Sequence, residues 1–328
     1  MNKKFELICK MSQERVKQYA QKALTKTHTD ITVGDGFVFA KGTFPVLLVA
    51  HMDTVHDKLP DLIVYNKGKD SMSSPNGIGG DDRCGIYMVL EIVKHYNCSV
   101  LFCEDEEVGG IGAKKFIETD LAHELKFNYA IELDRKGSND AVFYDCDNEE
   151  FEEFITKEFY KTAFGSFSDI STVAPFLGCA AVNLSCGYYN AHTKAEYVVL
   201  SEMEKSIEQV CKILERTTED DKFEYIEAVY NSRYGNRYFG SYWNYGSYYG
   251  ESAYSGNRNA GWYDEYDDDD SLYSYYIIEY LDECGKIEWF DTYATSESEA
   301  VGRLLMWHPT LCYNNVRDVM IDKAYTGR

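Results

Sequence analysis

Four consecutive acidic residues, Glu104 to Glu107, directly follow the apolar run 99–102 and precede a Gly-Gly break at 109–110. Adjacent carboxylates repel one another, so they need either full solvation or a positive partner nearby. Taken alone, such a run is typical of a solvated surface loop. The alternative is chemical: one carboxylate binds a metal ion while its neighbour transfers a proton. The rest of the chain decides between these two interpretations.

Other residues able to do this chemistry also stand where apolar runs end. His51 directly follows the run 46–50, and Asp134 follows the run 127–133. Apolar runs that alternate with helix-like segments predict a mostly parallel sheet covered by helices on both faces. Such sheets bind ligands at the carboxyl ends of their strands. We therefore expect these residues and the acidic run to meet at one edge of one sheet.

A dinuclear hydrolytic centre needs imidazole nitrogens and carboxylates, one of which is shared by two metal ions about 3.5–4 Å apart. It also needs a carboxylate outside the ligand set to take a proton from water. The chain contains a full inventory for such a centre: His51, Asp81, Glu106, Glu107, Asp134 and His192.

Each of these residues also has a simpler explanation when it is considered alone. His51 fits a hydrogen-bonded core histidine and His192 a loop histidine. Asp134 fits an ion pair with Arg135, and the Glu residues fit a solvated surface. It is the joint occurrence of all of them at strand ends that favours the metal site.

Two assignments stay open from the residues themselves. Spacing does not distinguish Asp81 from Asp82 as the metal-facing carboxylate, and either fits the cap of the helix that follows. Asp169 fits either a role in the same site or a helix cap. The remaining histidines are expected to be structural: His28, His56, His95, His123 and His308.

Five short motifs occur in a fixed order along the chain: HMDTV (51–55), GGDDRCG (79–85), EDEEVGGIGA (104–113), ELD (132–134) and AHTKAEY (191–197). This ordered set resembles the co-catalytic dinuclear zinc exopeptidases, which include tripeptidase T, carboxypeptidase G, the aminoacylases and related zinc aminopeptidases. The Glu-Glu segment looks most like tripeptidase T. The resemblance covers roughly residues 1–215, and the ordered set is far more specific than any single motif.

The resemblance implies two metal sites with one shared ligand. It assigns His51 and Asp134 to the first metal, and Glu107 and His192 to the second metal. Asp81 would bind both metals. Zinc suits such a mixture of imidazole and carboxylate ligands, and cobalt or manganese would also fit.

The resemblance also implies roles for residues that do not bind metal. Asp53 would hydrogen-bond the imidazole of His51 and set its tautomer. Glu106 would be the general base and then the acid to the leaving amine, after a metal-bridging hydroxide has attacked the metal-polarised carbonyl. The peptide bond that follows the bridging Asp81 is often cis in these families, which predicts a cis bond between Asp81 and Asp82.

The spacing of the motifs departs from the larger relatives. Asp134 and His192 are 58 positions apart, too few for the lid domain of tripeptidase T. His51 and Asp81 are 30 positions apart, which leaves no room for the inserted β domain of related aminopeptidases. The resemblance therefore implies a minimal catalytic core, in which groups normally supplied by a lid are missing or come from elsewhere.

We predict an α/β fold of three layers, α/β/α, with a mostly parallel central sheet. The catalytic domain is expected over 1–217, a Tyr/Gly/Asp-rich low-complexity linker over 218–270, and a small β-β-α-β accessory domain over 271–328. Half of the 28 Tyr lie between 226 and 280. The C-terminal region is expected to serve homo-oligomerisation or docking of a protein partner.

The periodicity of the apolar residues predicts the individual elements of the catalytic domain. Helices are expected at 11–24 with Ser12 as the cap, 86–96, 112–119, 148–162 and 201–214. Strands are expected as a pair within 31–42 and at 46–50, 98–103, 127–133, 140–145 and 179–185. The polar region 66–77 is rich in turn formers.

The composition excludes several classes of function. The chain has 328 residues and a net charge of −22, which disfavours binding to nucleic acid and to anionic membranes but is compatible with divalent cations. No segment approaches the roughly 20 apolar residues that a membrane span needs. The N-terminal segment reads as a helix and not as a signal peptide. Ten scattered Cys without a CxxC pair predict reduced thiols in a cytoplasmic protein.

The expected function is hydrolysis of short peptides by a metal-dependent exopeptidase of the amino-, di- or tripeptidase type, most readily from the amino end. The same centre would also serve an amidohydrolase or deacylase of N-acyl amino acids or small amides. An interpretation from another class is a non-catalytic scaffold that presents the Tyr-rich tail to a partner.

Overall fold

The computed structural model describes residues 2–157, 159–165, 167–228, 274–281, 286–294, 300, 304 and 315–321. The chain divides into two compact units, Met1–Asn244 and Tyr245–Arg328. Each is described by itself.

The first unit alternates strands with helices, as expected. Its described helices are α1 (Lys3–Cys9), α2 (Gln13–Leu24), α3 (Gly80–Ile92), α4 (Ile111–Ile117), α5 (Asp120–His123), α6 (Glu149–Thr156), α7 (Ile170–Leu177) and α8 (Leu200–Arg216). Its described strands are β1 (Asp30–Gly34), β2 (Phe37–Lys41), β3 (Phe44–His51), β4 (Val64–Asn66), β5 (Ser71–Ser73), β6 (Cys98–Cys103), β7 (Tyr129–Arg135), β8 (Asp140–Val142), β9 (Lys161–Ala163), β10 (Ala181–Ser185), β11 (Tyr188–Tyr189) and β12 (Tyr197–Val199).

Eight of these strands form the central sheet, in the order β1-β2-β6-β3-β7-β10-β8-β9. The four middle strands β6, β3, β7 and β10 are parallel to one another. Strands β2 and β8 join them antiparallel on either side. The carboxyl ends of the four middle strands therefore share one edge, where His51 lies beside Cys103 in the register. The predicted α/β fold with a mostly parallel sheet is confirmed.

Helices cover both faces of the sheet because alternate side chains of each strand point to opposite faces. Leu48 and Ala50 of β3 pack in the cluster that includes α1, α3 and α8, whereas Leu47 and Val49 pack in the cluster formed with α4 and α7. The middle strands are buried on both faces, which explains why they read as continuous apolar runs. Ser12 caps α2 by accepting a hydrogen bond from the backbone N–H of Arg15, as predicted.

The ends of two elements differ from the sequence-based prediction. The helix predicted over 148–162 ends at Thr156, and Lys161–Ala163 instead forms β9, which pairs with β8. The strand predicted over 140–145 ends at Val142, two residues before Tyr144, which has a positive φ of 51°. Contacts with residues distant in sequence decide both boundaries, and the local sequence pattern does not show those contacts.

A second sheet of four short strands, in the order β11-β12-β5-β4, was not predicted. Of its strands, β4 ends at the first residue of the region 66–77 that was expected to be rich in turns, and β5 lies inside that region. Strands of two or three residues are too short to show an alternating pattern.

The first unit continues past residue 217, the predicted end of the catalytic domain. The backbone of Phe223 donates to Asn128 O at 2.9 Å, and Phe223 O accepts from Ala180 N at 2.8 Å. Ala228 N donates to Asp145 O at 2.8 Å. The described chain is therefore part of this unit as far as Ala228, and the rest of the predicted linker, 229–270, lies outside the described residues.

The second unit contains three strands, β13 (Ser274–Leu281), β14 (Ile287–Ala294) and β15 (Val316–Ile321), in the order β14-β13-β15 and antiparallel throughout. Tyr276, Ile278 and Tyr280 of β13 pack with Ala300 and Leu304. Both of the latter are helical, and the other residues between β14 and Asn315 lie outside the described residues.

In the parts of both units that the structure describes, no helix combines the length and the apolar character that crossing a membrane requires.

Candidate metal centre

His51 is the last residue of β3, and its ring is buried among three carboxylates. Its Nδ1 atom is 3.1 Å from Asp53 Oδ1, and its Nε2 atom is 3.0 Å from Asp81 Oδ1 and 3.4 Å from Asp134 Oδ1. A carboxylate only accepts hydrogen bonds, so Nδ1 carries a proton that it donates to Asp53. The Nε2 atom therefore faces the two remaining carboxylates, Asp81 and Asp134.

Asp81 lies at the start of α3, after the glycines at 79 and 80. Its two oxygens face different imidazoles: Oδ1 faces His51, and Oδ2 is 3.2 Å from His192 Nε2. Asp82 points elsewhere, accepting from Gly85 N at 2.8 Å and from His51 N at 3.1 Å. Asp82 thus caps the helix, while Asp81 lies between the two imidazoles. The peptide bond between them is cis, as the resemblance implied.

Glu107 and His192 complete the other side of the site. His192 Nε2 is 3.1 Å from Glu107 Oε2, and the side chain of His192 is 50% exposed. The carboxylates of Asp81 and Glu107 raise the pKa of His192 to about 11. The site therefore opens to solvent on the side of His192, whereas His51 lies deep within it.

The ligand-type atoms fall into two groups that share Asp81. In each group the atoms lie within 4.8 Å of one another: His51, Asp81 and Asp134 in the first, and Asp81, Glu107 and His192 in the second. These are the groups of this kind that the described residues form. The ligand sets implied by the resemblance are thus brought together in space, residue by residue.

The chemistry of these groups fits bound cations. Asp134 Oδ1 and Glu107 Oε1 are buried and have no hydrogen-bond partner, which is costly for a carboxylate unless a positive charge compensates it. Burial, together with the nearby charge of Asp81, raises the pKa of Asp134 to about 7. Burial alone would lower the pKa of His51, yet Asp134, Asp53 and Asp81 hold it well above its usual value. A cation between these oxygens and Nε2 would replace that proton.

Asp53 connects the strand that carries His51 to the acidic loop. Besides His51, it accepts from Glu106 N at 3.0 Å and from Glu107 N at 3.1 Å. Burial alone would raise the pKa of Asp53, but these three donors hold it below its usual value. One ionised carboxylate therefore orients both the imidazole and the backbone of the loop.

The four acids of the loop have separate environments. Glu104 pairs with Lys17 at 2.5 Å, and Asp105 accepts from Gln13 Nε2 at 3.0 Å. Glu107 belongs to a ligand group and Glu106 to neither. Burial raises the pKa of Glu106 well above its usual value, and Asp134 adds to this effect. The interpretation of a solvated loop therefore does not hold for the second half of the run.

Asp169 is buried beside the site, and its carboxylate faces the thiol of Cys103. It precedes α7 but makes no side-chain cap, so the capping alternative is not realised. Burial raises the pKa of Asp169 to about 7. The ion pair considered between Asp134 and Arg135 is also not found, since Arg135 faces Asp140 at 3.7 Å and Asp134 faces His51.

Sequence reasoning missed two buried acids near the site. Glu132, one layer below Asp134 on β7, accepts hydrogen bonds from Ser168 Oγ and from Ile170 N. Glu196 accepts from His56 Nε2 at 2.7 Å, so His56 is structural, as expected, but its partner is a fully buried acid. Each lies inside a motif of the sequence, ELD (132–134) and AHTKAEY (191–197), but the resemblance assigned a role to neither.

Comparisons with known proteins agree on the fold. No protein-family model matches the chain, and no curated protein matches it. Among solved structures it is similar to the aminopeptidase PepT from Bacillus cereus, with a TM-score of 0.53, 14% identity, and coverage of 65% of this chain and 96% of the other. A tripeptidase from Staphylococcus aureus has a TM-score of 0.51 and 12% identity, with coverage of 64% of this chain and 95% of the other. An aminopeptidase from the archaeon Desulfurococcus kamchatkensis has a TM-score of 0.51 and 15% identity, with coverage of 66% of this chain and 95% of the other. At these identities the likeness shows the fold alone, an α/β fold with a mostly parallel central sheet.

Proposed function

We propose that this chain is a metal-dependent exopeptidase that hydrolyses short peptides. The observation that carries the proposal is the position of Asp81, whose two oxygens face the imidazoles of His51 and His192. A further carboxylate completes each side: Asp134 beside His51, and Glu107 beside His192. This is the donor set of two cation sites with one shared ligand.

We assign the ligands accordingly. His51 and Asp134 would hold one cation, Glu107 and His192 the other, and Asp81 would contribute one oxygen to each. Two imidazoles and three carboxylates suit zinc, and cobalt or manganese would fit as well. Bound divalent cations would supply Lewis acidity to a peptide carbonyl and to a water molecule.

Glu106 is assigned the proton transfers. It adjoins Glu107 in the chain but belongs to neither ligand group, and burial raises its pKa well above its usual value, which makes its carboxylate a stronger base. Its carboxylate would take a proton from the attacking water and deliver it to the nitrogen of the leaving amine. Asp53 would hold the Nδ1 proton of His51, which turns the Nε2 lone pair toward the cation site.

Peptides are favoured as substrates by the structural relatives, of which two are described as aminopeptidases and one as a tripeptidase. The half-exposed His192 places one side of the site in contact with solvent, so a short peptide could reach the ligands directly. The gap of 58 positions between Asp134 and His192 holds β8, α6, β9, α7, β10 and β11, and it contains no separate lid domain among the described residues.

The test is a substrate panel on the full-length protein after removal of metal and reloading with zinc, cobalt or manganese. We expect metal-dependent hydrolysis of peptides with a free amino terminus and none after chelation. Turnover of N-acyl amino acids alone would replace the peptidase by a deacylase. Absence of turnover for every substrate and metal would contradict an enzymatic function.

A further inference from the structure

Glu196 is a completely buried carboxylate four residues after His192, just before β12. A buried carboxylate is costly unless hydrogen-bond donors or cations compensate its charge. Unlike the oxygens of Asp134 and Glu107 that lack partners, both oxygens of Glu196 are satisfied by the protein itself. Glu196 therefore needs no bound cation to compensate its charge, because groups of the protein itself donate hydrogen bonds to it.

Three donors converge on Glu196. Its Oε2 atom accepts from His56 Nε2 at 2.7 Å and from Gly79 N at 2.7 Å, and its Oε1 atom accepts from Asp81 N at 3.0 Å. The last of these donors is the backbone of the residue that lies between the two imidazoles. The backbone of Asp81 sets the orientation of its side chain, and the hydrogen bond to Glu196 Oε1 holds that backbone.

The three donors also connect three separate segments of the site. His56 follows β3 and His51, the residues 79–81 carry Asp81, and Glu196 itself belongs to the segment that carries His192. Glu196 is anchored in turn, because Val198 of β12 pairs with Met72 of β5 in the small sheet. A single side chain thus connects the segments that carry three of the proposed ligands.

The backbone around Glu196 approaches too closely for side chains. A Cβ atom on Gly80 would lie 2.8 Å from Tyr188 Cβ and 3.3 Å from Glu196 Oε1. A Cβ atom on Gly77, where φ is +86°, would lie 2.1 Å from Cε1 of His56. The glycines of this stretch therefore let the backbone pass close to the buried carboxylate and to the imidazole.

We propose that Glu196, supported by His56, is a positioning residue that holds Asp81 in place between the two cation sites. This inference rests on the proposed metal-dependent function. A merely structural role would change the stability of the fold and leave metal affinity and ligand geometry as they are. Partners behind metal ligands typically contribute 10–100-fold to metal affinity.

The test compares cobalt binding to the metal-free full-length protein and to two variants. Glu196→Gln keeps the size of the side chain but turns an NH2 group toward a donor, so one backbone N–H loses its acceptor. We expect its affinity for cobalt to fall at least tenfold and the visible absorption spectrum of bound cobalt to change. The matched control is Asp70→Asn, since Asp70 accepts from Tyr65 Oη and Ser201 N but contacts no ligand segment.

A second pair of variants decides the matter if Glu196→Gln does not fold. His56→Leu removes the donor to Glu196 and should weaken cobalt binding. His56→Gln keeps a donor at this position and should bind cobalt nearly as tightly as the wild type. Equal affinity and equal spectra for the wild type and for all foldable variants would overturn the inference while the proposed function stands. Failure of the wild type to bind cobalt would contradict the proposed function, and with it the positioning role.

Discussion

The two edges of the central sheet differ in whether their buried polar groups have hydrogen-bond partners. At the amino edge, His28 donates from Nε2 to Cys98 O at 2.8 Å and accepts at Nδ1 from Thr27 Oγ1 at 2.9 Å, and Tyr129 Oη meets Thr217 Oγ1 at 2.6 Å. At and just below the carboxyl edge, one carboxylate oxygen has no hydrogen-bond partner in each of three acids: Glu107, Glu132 and Asp134.

This difference separates stability from function within one sheet. Polar groups that the protein satisfies by itself stabilise the fold, and unsatisfied ones are retained where something else must bind. Variants at the carboxyl edge should therefore change chemistry and metal binding, whereas variants at the amino edge should change stability. Each prediction below is a way to break or refine that separation.

The largest expected effect is on catalysis at the carboxyl edge. Glu106→Gln should lower kcat by about 10²–10⁴-fold, because the group that transfers the proton is lost. Metal content and the thermal midpoint should stay as in the wild type. The matched control is Glu104→Gln, since Glu104 pairs with Lys17 and lies outside both ligand groups. Equal losses in both variants would remove the distinction between the two acids.

The next effect is on stability at the amino edge. Phe151 is fully buried against Tyr129 and Phe223, so Phe151→Ala should lower the free energy of unfolding by about 3–5 kcal/mol. Denaturant unfolding measures this, and cobalt affinity at a temperature where the variant is folded should not change. Loss of metal binding in the folded variant would show that the two edges are coupled.

A variant of Asp134 should raise the stability of the metal-free protein and weaken metal binding. Asp134 carries a charge that burial and Asp81 make unfavourable in the metal-free protein, where its pKa is raised to about 7. Asp134→Asn removes that charge, so at pH 8 the metal-free variant should be more stable by about 1–2 kcal/mol. It should also lose one metal ion per chain. A variant that is less stable without metal would show that the site is not strained by its own charges.

The smallest effect concerns an ion pair away from both edges. Burial alone would raise the pKa of Glu91, but the ammonium groups of Lys4 and Lys94 hold it below its usual value. Such a group stabilises the fold above its unfolded pKa, and that contribution is lost as the pH falls through the folded pKa. Glu91→Gln should cost less than about 1 kcal/mol at pH 7, and the difference should vanish once the pH is below the lowered pKa of Glu91. A cost that persists in acid would be due to packing.

The strands that carry the site could be predicted because they are buried on both faces. β3, β6 and β7 read as continuous apolar runs: β3 ends at His51, β6 ends just before the acidic loop, and Asp134 is the last residue but one of β7. The ligand groups follow from that placement together with the motif order. Asp81 rather than Asp82 follows from the family resemblance alone, and in the structure Asp81 is the one that lies between the imidazoles.

The parts that could not be predicted depend on partners distant in sequence. Glu196 meets His56 across 140 positions, and Glu132 meets Ser168 across 36. The small sheet pairs β5 with β12 through strands of three residues, which have no local pattern. In each case a local sequence window contains only one of the two partners, so the contact becomes visible only in the folded chain.

The central claim is that the carboxyl edge holds two cations that share Asp81. Metal analysis of the reconstituted full-length protein, beside Asp81→Ala, tests it most directly. The account predicts two divalent ions per chain in the wild type and loss of both ions at stoichiometric concentration in the variant. A wild type without stoichiometric metal, or a variant that retains both ions, would contradict it.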